Sequence, residues 1–259
     1  MDIYEANRRA WNNEASRHNF WTIMVREEQI EKARQGNPGI WVTPFKTVPL
    51  DWIEDLKGKE VLLACGGGGQ QTPILAAFGS IVTTLDISDS QIRQDREALE
   101  KYGLSATLVQ ANVLEMPFPD KSFQAVIMPQ AMNFIDDLER LYNEIRRVLI
   151  PGGTFIFGVA NPILYSFDER IQNRKLKVRY TIPFSHTRSL SEKALSYRLS
   201  QTDTLEFSHT LDSILGLLTK KGFAVTGFYT DSAGSEPTDS FVYDSHIAVR
   251  AVLDPPCEE

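Results

Sequence analysis

Gly66, Gly67, Gly68 and Gly69 stand in a row behind an apolar run that starts at Val61. Asp86 closes a second apolar run, "IVTTLD", seventeen positions after Gly69. That many glycines let a ligand lie directly on the backbone, and a loop between strand and helix offers it free backbone amides and the positive helix end. A carboxylate at the end of the neighbouring strand can accept hydrogen bonds from the two hydroxyls of a ribose. Loop and acid together point to a ligand that contains adenosine. Ala64, Gly66 and Gly69 also fit a loose A-x-G-x-x-G pattern, so on these residues alone a dinucleotide stays open.

Such a loop needs a sheet beneath it. From 60 to 158 apolar runs alternate with amphipathic segments, the pattern of βαβ units around a parallel sheet buried on both faces. Strands are expected at 60–64, 81–86, 106–110, 125–128 and 154–159. Pro73 suits the first turn of the helix after the glycines. The next helix opens on "SDSQ", a capping box in which Ser88 and Gln91 satisfy free amides reciprocally, and it ends by Gly103. A third, 138–149, sets Leu141, Ile145, Val148 and Leu149 on one face and stops at "PGG". After Asn161 the alternation breaks, and the chain reads as an insertion with a hairpin between 176–180 and 195–199. A helix at 207–221 and strands at 223–229 and 246–253 follow.

The 259 residues, 42% hydrophobic, suffice for one large domain. A formal net charge of -7 and a pI near 5.3 argue against a nucleic-acid partner. The two cysteines, Cys65 and Cys257, form neither a disulfide framework nor a metal cluster, so no metal is expected. The polar N-terminus carries no apolar signal core, and nowhere do about eighteen apolar residues run together. The expectation is a cytoplasmic protein without a membrane partner.

"ANVLEMPFPDKSFQAVIM", followed by "LERLYNEIRRVLIPGGTFIFG", resembles the class I S-adenosylmethionine-dependent methyltransferases of the small-molecule type, related to the ubiquinone and menaquinone methyltransferases. The resemblance runs from about Tyr4 to Asn161 and includes "NRRAWNNEASRH", which is similar to the segment that folds over the cofactor in that family. It implies an α/β, doubly wound, Rossmann-like sheet of seven mostly parallel strands. The implied division is an N-terminal helical lid (1–50), a cofactor-binding core (51–160), a substrate-covering insertion (161–204) and a C-terminal helix and strand pair (205–253). S-adenosyl-L-methionine is the implied cofactor. Gly67 and Gly69 would meet its amino-acid end, Asp86 the ribose, Ile87 the adenine face, and Asn112 and Val113 the adenine edge. Met128 and Gln130 would flank the methionine part, and Cys65, Gln70 and Gln91 complete the implied binding set. The chain departs from the family pattern at Leu63, where an acid is usual, and at Cys65, where the first glycine is usual. A subset resembling "ASGGGQQ" shares the missing acid, and Gln70 is a candidate to replace its contacts.

Methyl transfer from a sulfonium needs an aligned nucleophile and little else, so a base is optional. Relatives with a base often carry His after the fourth strand, where this chain has Met132 and Asn133. His18 and His186 could face the methyl, but structural roles account for them as well, and His209 and His246 are expected to lie far from the site. Catalytic residues are therefore left unassigned. The basic run through Arg170, Arg174, Lys175, Lys177 and Arg179 suits an edge that resists aggregation, or recruitment of an acidic acceptor. Trp11, Phe20, Trp21 and Trp41 suit a core, or a cover over a planar acceptor. The expected function is methyl transfer to a small-molecule acceptor. The alternatives are an NAD(P)-dependent oxidoreductase of similar topology and a non-catalytic cofactor-binding descendant that serves a protein partner. Oligomeric state stays open, a homodimer included.

Overall fold

Alternation along the first strand, β1 (Glu60–Ala64), sets the layers: Val61 and Leu63 enter one hydrophobic core, Leu62 and Ala64 the other. The computed structural model describes residues 1–17, 22–167 and 176–254. Helices α1 (Ile3–Ser16) and α2 (Glu27–Arg34) precede β1. Then come α3 (Gln71–Phe78), β2 (Ile81–Asp86), α4 (Asp89–Tyr102), β3 (Thr107–Gln110), β4 (Phe123–Met128), α5 (Leu138–Val148) and β5 (Leu149–Ala160). With β6 (Phe223–Asp231) and β7 (His246–Leu253) they form a seven-stranded sheet of order β3-β2-β1-β4-β5-β7-β6. Neighbours pair parallel as far as β5, and β7 lies antiparallel between β5 and β6. The alternation pointed to the parallel part of this sheet, and the family resemblance to its doubly wound, mostly parallel whole.

Helix α5 shows why the segments take their places. Leu138, Leu141, Tyr142, Ile145 and Val148 recur at helical spacing and are buried against Phe155 and Phe157, while Asp137 caps the first turn through Arg140 N at 2.9 Å. Each such aliphatic side chain contributes roughly 1.5 to 3 kcal/mol of transfer free energy. The other core takes in Ile74 and Leu75 of α3, Ile30 and Ala33 of α2, and Ile40, Val42 and Val48 of the strand-like segment before β1. The stretch between α1 and β1 therefore contributes to the core as well as to the cover. That segment crosses β5 so closely that a Cβ on Gly158 would fall on the Val42 carbonyl.

Two expectations beyond 161 change. The hairpin does not form: Val178 bridges to Phe167, and 195–199 lies inside a helix. After a single turn, α6 (His186–Ser189), comes α7 (Glu192–Ser200), in which Ser191 Oγ caps Ala194 N. Local capping and good helix formers outweigh the alternation. The helix expected from 207 starts late, because Phe207 is held in a bridge to Ser185 and donates its N–H to Asn133 O at 2.7 Å. Helical turns run through a wide π turn, Asp212–Gly216, into α8 (Leu217–Lys220). The expectations for His18, Phe20, Trp21, Arg170, Arg174, Lys175 and Cys257 lie outside the described residues.

Candidate functional site

The carboxyl ends of β1, β2, β3 and β4 carry the loop 65–70, Asp86, Ala111 and Asn112, and Pro129 and Gln130, so the register of the central strands alone gathers the sequence-derived set at one edge. Cys65 stands where the loop leaves β1, at φ 57, a left-handed conformation that strains a side-chain-bearing residue. Burial pushes its thiol well above the usual range.

The loop amides are not free, contrary to the expectation from sequence. Gly67 N donates to Asp86 Oδ2 at 3.0 Å, Gly68 N to Gln91 O at 3.2 Å and Gly69 N to Asp95 Oδ1 at 2.7 Å. Without side chains the loop folds down onto α4, and a Cβ at Gly67 would come within 2.8 Å of Gln91 Cβ and 3.1 Å of Asp86 Oδ2. The glycines thus serve close approach within the protein first. The capping box is half formed: Gln91 N donates to Ser88 Oγ at 3.1 Å, but Asp86 Oδ1 takes Ser88 N at 2.9 Å, which leaves Gln91 Oε1 buried without a partner.

Asp86 is 7% exposed, and burial raises its carboxyl to about 6 against the pull of the Ser88, Gly67 and Ile87 amides. Asp95 is fully buried, and the same cause raises it to about 8. Neither acid has an ion-pair partner among the described residues. Of the remaining set, Asn112 Oδ1 accepts from Leu114 N at 2.9 Å, Val113 and Met128 are buried in the core, and Ile87 is half-buried. Gln130 Oε1 is buried without a hydrogen-bond partner. Gln70 Nε2 donates to Ile23 O at 2.8 Å, away from Leu63.

Helix α1 lies over this edge, and sequence reasoning missed the residues that hold it there. Asn12 Oδ1 accepts from Ser88 Oγ at 2.6 Å, and Asn12 Nδ2 donates to Asp89 Oδ1 at 2.7 Å. Asn7 Nδ2 donates to Phe134 O at 3.0 Å and Leu205 O at 3.1 Å, and its Oδ1 accepts from Leu205 N at 2.7 Å. Trp11 packs edge-on to Phe134 at 5.0 Å. Asp95 was missed too, although a carboxylate in the buried set Gln91, Ile92, Asp95, Ala98 and Leu99 breaks the apolar pattern of α4.

His209 is nearer than expected. It lies in irregular chain, and its Nε2 faces Ile135 O at 2.9 Å and Met132 O at 3.2 Å, so it steadies the loop after β4. Burial lowers its pKa, so the ring is neutral. His186 Nδ1 accepts from Glu206 N at 2.9 Å, and His246 Nδ1 meets Ser232 O at 3.1 Å. A groove of about 470 Å³ opens between Ile3 of α1, residues 136–139, His209, and Ser185, Thr187 and Arg188 of the insertion. No group of three potential metal-ligating side chains occurs among the described residues, and no described helix is long and apolar enough to cross a membrane.

A family model for a methyltransferase domain matches residues 61–157. The uncharacterized methyltransferase YbaJ of Bacillus subtilis is 37% identical over 243 residues, which span 93% of each chain. The ubiquinone/menaquinone biosynthesis C-methyltransferase UbiE of Pasteurella multocida is 27% identical over 200 residues, 73% of this chain and 71% of its own. The magnesium protoporphyrin IX methyltransferase of Synechocystis PCC 6803, solved with bound S-adenosylhomocysteine, shares the fold at a TM-score of 0.62 and 15% identity, over 98% of this chain and 100% of its own.

Proposed function

The chain belongs to the class I S-adenosylmethionine-dependent methyltransferases, and on that premise we propose that the edge formed by 65–70, Asp86, Gln91, Asn112 and Gln130 seats the cofactor while a small-molecule acceptor enters between α1 and the 161–204 segment. The observation that carries this is the set of unmet polar groups at one edge: Gln91 Oε1 and Gln130 Oε1 lack partners, and the buried Asp86 lacks a cation. Buried polar atoms are rarely left unpaired, so a ligand with hydroxyl, ammonium and amide-like donors fits these residues. When bound, the cofactor supplies a methyl group already activated by a sulfonium.

The chain's own contribution is orientation and exclusion of water. Asp86 is suited to accept from the ribose hydroxyls, and the backbone of the glycine loop approaches the amino-acid end. Asn7, Asn12 and Trp11 hold α1 as a roof, and the loop after β4, steadied by His209, forms the floor on the acceptor side. Each described histidine spends a ring nitrogen on backbone, which favours a mechanism of positioning over proton abstraction by histidine. The UbiE relative and the Synechocystis neighbour carry the names of enzymes that act in quinone biosynthesis and on a porphyrin, which supports a small organic acceptor here.

Calorimetric titration of the full-length protein with S-adenosylhomocysteine and, separately, with NAD tests the reading. Micromolar binding of the first and none of the second is expected. Binding of NAD alone would move the protein to the oxidoreductase alternative.

A further inference from the structure

The acid that β1 lacks reaches the loop from the opposite side. Leu63 is fully buried, and its side chain fills the space that a Cβ on Gly66 would need, so β1 brings no polar group to the loop from that position. Asp95 lies one turn beyond Gln91 on the inner face of α4, and its Oδ1 takes the Gly69 amide at 2.7 Å, the shortest of the three bonds that fasten the loop amides. Gly69 sits at φ +76, where a side chain is strained, and a Cβ there would meet Gln94 O at 3.1 Å. The chain on its outer side is tied down as well, since Val25 N donates to Gly69 O at 2.8 Å. Gly69 is therefore gripped through both its N–H and its C=O, and Asp95 is the only side chain in that grip among the described residues. Asp95 Oδ2 is buried and makes no hydrogen bond.

We infer that Asp95 is a positioning residue for cofactor binding: it sets the glycine loop from α4, in place of an acid on β1. The inference rests on the reading of the loop as the cofactor's seat. Asp95 touches the loop from beneath and acts through the Gly69 backbone. Among the described residues, the only charged group facing it is Asp86, and Thr72 is its other polar side-chain neighbour. Because burial raises its carboxyl to about 8, Asp95 is mostly protonated at neutral pH, and asparagine is its close mimic.

The test compares Asp95→Asn, Asp95→Leu and Asp95→Ala in the full-length protein, with S-adenosylhomocysteine affinity by calorimetry at pH 7 and fold by circular dichroism and Tm. Asp95→Asn keeps an acceptor for Gly69 N–H and should bind within threefold of the parent. Asp95→Leu, or Asp95→Ala if the larger side chain prevents folding, should bind at least tenfold more weakly, about 1.4 kcal/mol, in a folded sample. A residue that serves the fold alone would lower Tm and leave affinity in place. Parental affinity in a folded apolar variant, weakened binding in Asp95→Asn equal to that in the apolar variants, or failure of both apolar variants to fold would each overturn the inference. A parent that does not bind S-adenosylhomocysteine would instead overturn the cofactor reading, whatever the variants do.

Discussion

Replacing Asn7 by leucine, which has nearly the same volume, should loosen α1 without disturbing the sheet. Asn7 is 3% exposed and makes three bonds to backbone groups of Phe134 and Leu205. Leucine offers none of them, so two carbonyls and one N–H are left unmet as long as α1 stays down. At about 1 kcal/mol net for each, the docked state loses about 3 kcal/mol. That is a change of about a hundredfold in the ratio of docked to undocked helix. The remaining holds are the Asn12 bonds to Ser88 and Asp89, the solvent-screened Arg8–Asp89 pair, and the Trp11–Phe134 contact. Hydrogen exchange followed by mass spectrometry should show the 3–16 amides exchanging about a hundredfold faster in Asn7→Leu while β1, β4 and β5 keep their protection. Turnover should fall with the acceptor exposed to water. Unchanged exchange across 3–16, with an unchanged Tm, would show that the Asn7 bonds do not set the position of α1.

Asp86→Ala should weaken S-adenosylhomocysteine binding by roughly 1 to 3 kcal/mol, measured by calorimetry, since a hydroxyl pair loses its charged acceptor; equal affinity in a folded variant would remove Asp86 from the site. Gly67→Val should reduce both affinity and Tm, because its Cβ meets Gln91 and Asp86 before any ligand; a drop in affinity at constant Tm would contradict that contact. Asp95→Asn should also change how stability depends on pH. A carboxyl at about 8 when folded, against an ordinary 3.8, keeps a proton that the unfolded chain has lost, so its stabilisation is full below pH 4 and is lost as pH rises to about 8. Urea titrations should show Asp95→Asn gaining on the parent by about 2 to 5 kcal/mol across that window, and parallel curves would refute the assignment.

The strands that carry the site were legible because burial on both faces demands continuous apolar runs: β1, β2 and β7 begin and end where the sequence places them. Of the candidate residues at strand ends, Gly66 to Gly69 and Asp86 followed from the same pattern, while Ile87, Asn112, Val113, Met128 and Gln130 came with the family resemblance. What glycine shows is that something comes close, and it does not say what; at Gly67, Gly68 and Gly69 the close neighbours are Asp86, Gln91 and Asp95. Gln91 fits a capping box in sequence, but the competing acceptor, Asp86, is brought to Ser88 N only by the turn after β2. Leu195 and Leu199, read as the second arm of a hairpin, are four apart and equally suit a helix, and Ser191 decides for the helix by capping it. Asn7 gave no signal, since a polar residue on an amphipathic helix is ordinarily a solvated one.

The crossing of Gly158 by the Val42 main chain bears on the order in which the protein can be made. Residues 40–48 pack over β5, and Asp231 Oδ2 accepts from Phe45 N at 2.7 Å and Lys46 N at 2.8 Å, so the early segment is fastened to parts of the chain synthesised nearly two hundred residues later. Strand β7 fills the gap between β5 and β6, so β5 can pair with β4 on its other edge, but β6 cannot join the sheet until β7 has left the ribosome. The parallel strands β1 to β4 can assemble while translation proceeds, but residues 40–48, made before them, wait for the β5 and β6 groups they pack against. Contacts of such long sequence separation make the closing step slow, and until it occurs the growing chain shows apolar surface of the kind that chaperones hold.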